Sequence, residues 1–278
     1  MKLARIRVDG SVWLARREEE QYILLRTESD HVAADAIREA LADEFDFRCS
    51  GEPIGHDDAE LLAPIARPSK IIAIGLNYPM HVRESSAEPP TKPLVFVKTP
   101  NSLIGPGEAI VVDNEASSQV DYEAELVAII GKRARHVDRA RALDHVLGYT
   151  AGNDVSARDV QFSDGQWVRG KSFDTFCPLG PWIVTRDEIS DPQSMAIGTD
   201  LNGDRLQNDN TANMIFDVAT IISYVSKYIT LEPGDLVFTG TPDGVGFART
   251  PPRYLSPGGV VSVFIEQIGA LTNPIVAG

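Results

Sequence analysis

From Lys70 to the C-terminus, apolar residues come in short runs separated by clusters of Gly, Pro, Asn and Asp. The runs are "IIAIGLNY", "PLVFVKT", "AIVV", "ELVAIIGK", "LGYTAGNDVS", "LGPWIVT", "MAIGTDLNG", "DLVFTGTPDGVG" and "VVSVFIEQIGAL". Their lengths and turn punctuation predict strands. One stretch has the helical period: in 213–229, Ile215, Val218, Ile222 and Val225 share a face, and Pro233-Gly234 follows as a stop. Strands without regularly interleaved helices predict a mostly antiparallel or mixed sheet in a β-rich α+β roll, rather than a doubly wound parallel fold.

Residues 1–65 read as a small α/β accessory domain, and 66–278 as the main domain. "KLARIRVDGSVWLAR" alternates apolar and polar positions around Asp9-Gly10, a hairpin signal. Residues 30–45 carry Ala33, Ile37, Leu41 and Phe45 at helical spacing. "ARPSK" (66–70) looks like the connector. There is no internal repeat.

Charge narrows the possible partners. Forty acids against 26 bases give a net charge of −14, which opposes binding to a nucleic-acid backbone or an anionic membrane surface. An acidic substrate would therefore need positive charge supplied locally. No window of 18 apolar residues occurs, and the N-terminal residues resemble no signal peptide. Two distant cysteines, Cys49 and Cys177, make no disulfide framework. The expectation is a soluble cytoplasmic protein.

The stretch "VDYEAELVAIIGK" (120–132) raises a specific question. Asp121, Glu123 and Glu125 alternate, as do Val127 and Ile129, so one strand face would begin with three carboxylates and end in the core. Either the acids are solvated at an exposed strand end, or they hold a hard divalent cation. Asp154 in "GYTAGNDVSARD" is a candidate third ligand, or else a helix N-cap. His81 and Glu84 in "GLNYPMHVRE" are neighbours on a helical turn opened by Pro79. They form either a surface pair or a general base oriented by a carboxylate. Lys171 in "WVRGKSFDTFCPLGPW" could stabilise an oxyanion or merely snorkel. "FTGTPDGVG" lacks the GK[ST] ending of a phosphate loop, though Thr241 could contact a ligand. No closely spaced His or Cys pair suggests zinc, and no nucleophile motif indicates covalent catalysis.

Taken together and in order, "GLNYPMHVRE", "VDYEAELVAIIGK", "GYTAGNDVSARDVQF", "GKSFDTFCPLGPW", "NGDRLQNDNTANMIF" and "GDLVFTGTPDGVG" resemble the fumarylacetoacetate hydrolase family over roughly residues 68–276. The resemblance implies a mixed β-roll with a divalent cation, Mg²⁺ or Mn²⁺, or Ca²⁺. It makes Glu123, Glu125 and Asp154 the metal ligands. It assigns Arg158, Gln161 and Lys171 to substrate-carboxylate and oxyanion contacts, Thr241 to a substrate loop, and His81 with Glu84 to a water-activating dyad on a mobile lid. It implies a homodimer acting on a small 2-oxo acid, while the acidic charge balance already sets aside nucleic acid and membrane as partners. Pro79-Met80 stand where many members have small or charged residues.

The activity expected from this resemblance is hydrolysis of a C–C bond in an acylpyruvate or fumarylpyruvate type β-diketo acid, through a stabilised enolate. Oxaloacetate decarboxylation and 2-hydroxymuconate-type isomerisation use the same enolate chemistry and are the alternatives. A non-catalytic protein with a structural cation site is the reading outside enzymology.

Overall fold

The computed structural model describes residues 1–26, 48–49 and 51–278. The helix expected over 30–45 lies outside the described residues. A 13-stranded mixed sheet forms the body. Its central path runs through Lys2–Val8, Cys177–Thr185, Val146–Asn153, Ala124–Ile130, Leu236–Phe238, Ile71–Gly75 and Leu94–Lys98. A second sheet of five strands contains Ile110–Val112, Gly269–Ala277, Val260–Ile265, Ala196–Leu201 and Asp204–Asn210. Most neighbours are antiparallel, while Leu236–Phe238 runs parallel to Ile71–Gly75. This is the β-rich α+β architecture that the run lengths predict.

The first two strands close on Asp9-Gly10, with φ of 49° and 78°. Positive φ at both central residues makes the turn whose twist suits a hairpin. Pairing of Lys2 with Val184 and of Leu3 with Ile183 then joins the hairpin to the large sheet.

Ala124–Ile130 is buried at all seven positions because both its faces are covered. Leu126, Ala128 and Ile130 pack in one cluster with Ile221, Ile222 and Val225, while Val127 and Ile129 join Ile71, Leu236 and Phe238 in another. A cavity left here by Leu126→Ala costs about 2–5 kcal/mol. The strand thus has little freedom to move, and the acids at its start inherit that rigidity.

The helix expected over 213–229 is shorter, Val218–Ser226. Asp217 caps it by accepting from the Thr220 amide at 2.7 Å. The preceding segment stays extended because Ile215 and Phe216 donate their amides to Asn77, to its carbonyl and its side chain respectively. The helix ends before Pro233-Gly234 because Leu231 bridges back to Ala134. Here long-range pairing overrides a local stop signal.

Candidate metal centre and active site

Strand register builds the acid cluster. In the antiparallel pair of Ala124–Ile130 with Val146–Asn153, Ala124 faces Asn153. The residues just beyond this pair, Glu123 and Asp154, therefore meet. The Asp154 amide donates to the Glu123 carbonyl at 2.9 Å, and the Glu123 amide to Asn153 Oδ1 at 3.0 Å. Glu125 enters from the same strand face, one alternation further in. Glu123, Glu125 and Asp154 are buried, with carboxylate oxygens within 4.8 Å of one another. An exposed strand end is thereby ruled out.

Asp121 departs from the expected row of three. Val120–Asp121 leaves the large sheet and pairs with Ser156–Ala157 in a separate ribbon. Its carboxylate turns to Arg158, whose Nε donates at 2.8 Å. The alternation of acids holds in sequence, but the strand is interrupted between Asp121 and Ala124.

Asp154 is not a helix cap either, since the Arg158–Asp164 helix starts after Ala157 without a side-chain cap. Instead Asp154 takes two ammonium groups, Lys171 Nζ at 2.7 Å and Lys98 Nζ at 2.6 Å. Lys171 also reaches Glu123 at 2.8 Å, so it is a buried cation and does not snorkel. It arrives on the short Val168–Lys171 helix, where Gly170 lies against Gln161; a Cβ there would sit 2.7 Å from the Gln161 amide nitrogen. Arg158 and Gln161, three apart on their helix, bond at 3.0 Å.

Lys98 escapes the sequence reading. Its signal is an apolar strand, "PLVFVKT", ending in a lysine on the same face as Phe96. Its ammonium is fully buried and also reaches the carbonyls of Val155 and Lys171. That makes three acceptors for three donors. Gln207 is missed as well; it accepts from the Ala124 amide and donates to Thr241 Oγ1, both at 2.9 Å.

His81 and Glu84 lie on the helix Pro79–Glu84, with Pro79 in its first turn as expected. Glu84 Oε1 lies 2.8 Å from His81 Nδ1. Glu84 Oε2 accepts from the Gly244 amide at 2.8 Å, which moors the helix to the glycine-rich loop. His81 is buried, so the pair is not a surface pair. The same loop donates Gly240 N–H to Glu125 at 2.6 Å and Gly246 N–H to Asp121 at 2.7 Å.

His81, Glu123, Glu125, Arg158, Gln161, Lys171 and Thr241 all line one cavity of about 160 Å³, walled by Phe96, Trp167, Phe162 and Phe247. Of the side chains singled out from the sequence, three do not line the cavity: Glu84, which is bonded to His81, Asp154, which sits behind Lys171, and Asp121, which is turned to Arg158. A larger groove of about 660 Å³ lies by Pro89, Tyr224 and Tyr228. It holds none of the buried charges, so the chemistry selects the smaller cavity.

Electrostatics favour a cation. Burial alone would raise Glu123, yet Lys171 and Arg158 hold its carboxyl well below the usual range. Burial and then the charges of Asp154 and Glu123 push Glu125 well above it. Four buried acids face three buried bases, Lys98, Arg158 and Lys171. Glu125 is the one left without a side-chain base of its own. Oxygen-only donors with excess negative charge suit Mg²⁺, Mn²⁺ or Ca²⁺, and the absence of His and Cys from the cluster disfavours zinc. Glu123, Glu125 and Asp154 would hold such an ion.

Comparison with known proteins agrees with this geometry. The family model for the fumarylacetoacetate (FAA) hydrolase C-terminal region matches residues 70–276. The chain is 47% identical over 225 residues to an oxaloacetate tautomerase, mitochondrial, of Xenopus laevis, covering 80% of this chain and 70% of that protein. It is 41% identical over 250 residues to the rat oxaloacetate tautomerase, also mitochondrial, covering 90% and 78%. A fumarylacetoacetate hydrolase from Exiguobacterium antarcticum superposes with a TM-score of 0.89 at 38% identity over the whole of both chains. A 2-hydroxyhepta-2,4-diene-1,7-dioate isomerase from Mycobacterium marinum does so at 0.83 and 38%, covering 100% of this chain and 98% of that one. Among the described residues, no helix is long and apolar enough to cross a membrane. With the family model matching residues 70–276 and relatives at up to 47% identity, this chain belongs to the fumarylacetoacetate hydrolase family.

Proposed function

We propose that this protein is a divalent-cation-dependent enzyme of small 2-oxo acids, and that its reaction is proton transfer between the keto and enol forms of oxaloacetate. The relatives at 41–47% identity that carry the name oxaloacetate tautomerase support the substrate. The observation that carries the reading is the small cavity, whose wall His81, backed by Glu84, shares with Arg158 and Lys171. The cavity measures about 160 Å³.

The chain's own residues divide the work. Arg158 holds the substrate carboxylate through the N–H groups that Asp121, Gln161 and Glu123 leave over. Lys171 spends two of its three donors on Glu123 and Asp154, and the third serves the oxygen that gains charge as the enolate forms. Glu84 holds the Nδ1 proton of His81, so Nε2 is the basic atom that takes a proton from the methylene carbon. Return of a proton to oxygen completes the tautomerisation with no bond between heavy atoms broken. A cation bound at the three carboxylates supplies Lewis-acid polarisation of the 2-oxo group.

Hydrolysis of an acylpyruvate is the second reading, because the same His81 could deprotonate a water. Three assays with Mg²⁺ or Mn²⁺ separate the cases. The expected result is protein-dependent loss of enol oxaloacetate absorbance, above the rate with cation alone and without matching pyruvate release. Stoichiometric pyruvate would make the protein a decarboxylase, and cleavage of an acylpyruvate would make it a hydrolase. Either outcome, with no acceleration of enol loss, refutes the tautomerase reading.

A further inference from the structure

Asp121 belongs to the acid row that suggested a cation site, yet neither the metal cluster nor the proton transfer uses it. It is fully buried, and its carboxylate is saturated. Oδ1 accepts from the amides of Tyr122 at 2.8 Å and Gly246 at 2.7 Å. Oδ2 accepts from Arg158 Nε at 2.8 Å and from the Phe247 amide at 3.1 Å. Two donors on each oxygen use all the lone-pair directions a carboxylate offers, so none remains for a metal.

The donors it collects are informative. Arg158 Nε is the root of the guanidinium fork. The Phe247 ring lies 4.6 Å from the guanidinium carbon, and the Phe247 amide is held by the same carboxylate. Asp121 therefore sets both the plane of the guanidinium and the position of the ring it stacks on. At Gly246 a Cβ would lie 2.5 Å from Asp121 Oδ1, so the loop can come this close only as glycine. With Nε fixed and Nη1 on Gln161, Nη2 remains. It is ion-paired to Glu123 Oε1 at 2.6 Å. Each Nη carries two N–H groups, so one on each is left over for an anionic ligand.

We infer that Asp121 is a positioning residue: it locks the Arg158 guanidinium so that its Nη groups meet the substrate carboxylate, and it is not a cation ligand. This rests on the reading of Arg158 as the carboxylate anchor. Asp121→Asn keeps the shape and removes the charge and one acceptor. Calorimetry would measure Mn²⁺ binding to the apoprotein, then oxalate binding to the Mn²⁺-loaded protein. Oxalate should bind about 10- to 100-fold more weakly to D121N, the scale for outer-shell partners. Mn²⁺ affinity should stay at the wild-type value. In the double variant D121N/R158M, oxalate should bind no more weakly than to R158M, because Asp121 acts through that arginine.

A loss in the double variant equal to the sum of the single losses, or Mn²⁺ affinity lost along with oxalate, overturns the inference. So does wild-type oxalate affinity in D121N while R158M is weakened. Wild-type affinity in R158M would instead remove the anchor reading itself. Should D121N not fold, the wild-type protein decides. Its Arg158 Nε–H NMR signal, assigned by its loss in R158M, should be protected from exchange with and without oxalate. Exchange at the rate of free arginine refutes the lock.

Discussion

Glu125→Gln is the sharpest test of the cation site. Gln keeps the oxygen that accepts from the Gly240 amide and nearly the same volume, and it removes one negative charge. That charge is buried, with the Glu123 and Asp154 oxygens within 4.8 Å. At an effective dielectric near 20, one like-charge pair at that separation costs about 3 kcal/mol. Lys171, which lies beside the other two carboxylates, offsets part of this. The apoprotein of the variant should therefore melt higher than wild type, by a few degrees at roughly 2 °C per kcal/mol for a chain of this size. With Mg²⁺ or Mn²⁺ the order should reverse. A cation at a hundred times its dissociation constant stabilises the wild type by about 2.7 kcal/mol, or about 5 °C. E125Q should show little of that rise. Differential scanning calorimetry after exhaustive chelation, with and without added cation, gives all four values. A lower melting temperature for apo E125Q, or a cation-induced rise equal to that of wild type, would refute the charge accounting on which the metal site stands.

Other changes probe separate parts of the molecule. His81→Ala should cut turnover by about 10²–10⁴-fold, the usual scale for a lost general base, and leave cation binding by calorimetry unchanged. Asp217→Ala removes the cap of the Val218–Ser226 helix and should cost about 1 kcal/mol in urea unfolding. Burial alone would raise Asp217, but its bonds from Arg139 and Thr220 hold it below the ordinary carboxylate value. Its contribution is thus present above about pH 4 and is lost as pH falls through the lower folded value. The wild-type advantage over D217A should accordingly be flat near neutrality and shrink in acid. Cys177 is fully buried and its thiol is pushed up to about 12 by that burial. In a Cys49→Ser background, an aromatic disulfide reagent should find no reactive thiol until the protein unfolds. At Gly75 a Cβ would lie 2.4 Å from the Trp167 ring. Gly75→Ala should therefore move that wall and raise KM for oxaloacetate.

Much of this was legible in the chain because local chemistry and tertiary structure agree. Asp9-Gly10 predicts its turn, and the apolar runs predict their strands, since each run overlaps a strand. The His81–Glu84 contact follows from helical spacing alone. Legibility fails where partners are distant. The start of the helix near 217 depends on Asn77, about 140 residues earlier. Lys98 looks like the polar end of a strand, and only its contact with Asp154 and the Lys171 carbonyl reveals a buried ammonium. Asp121 reads as the first of a row of three acids on one strand face until the break before Ala124 turns it toward Arg158. Spacing identifies which side chains share a face, but not where a strand breaks.

The glycine-rich loop, finally, constrains how this scaffold can change. Its amides at Gly240, Gly244 and Gly246 each grip a different acid: Glu125, Glu84 and Asp121. A main-chain donor survives replacement of side chains such as those of Asp243 and Val245, but all three gripping positions lack room for even a methyl group. The frame can be kept or broken, with little between. Divergence toward larger or smaller substrates thus falls to Phe96, Phe162 and Trp167, which line the cavity without anchoring any of its acids.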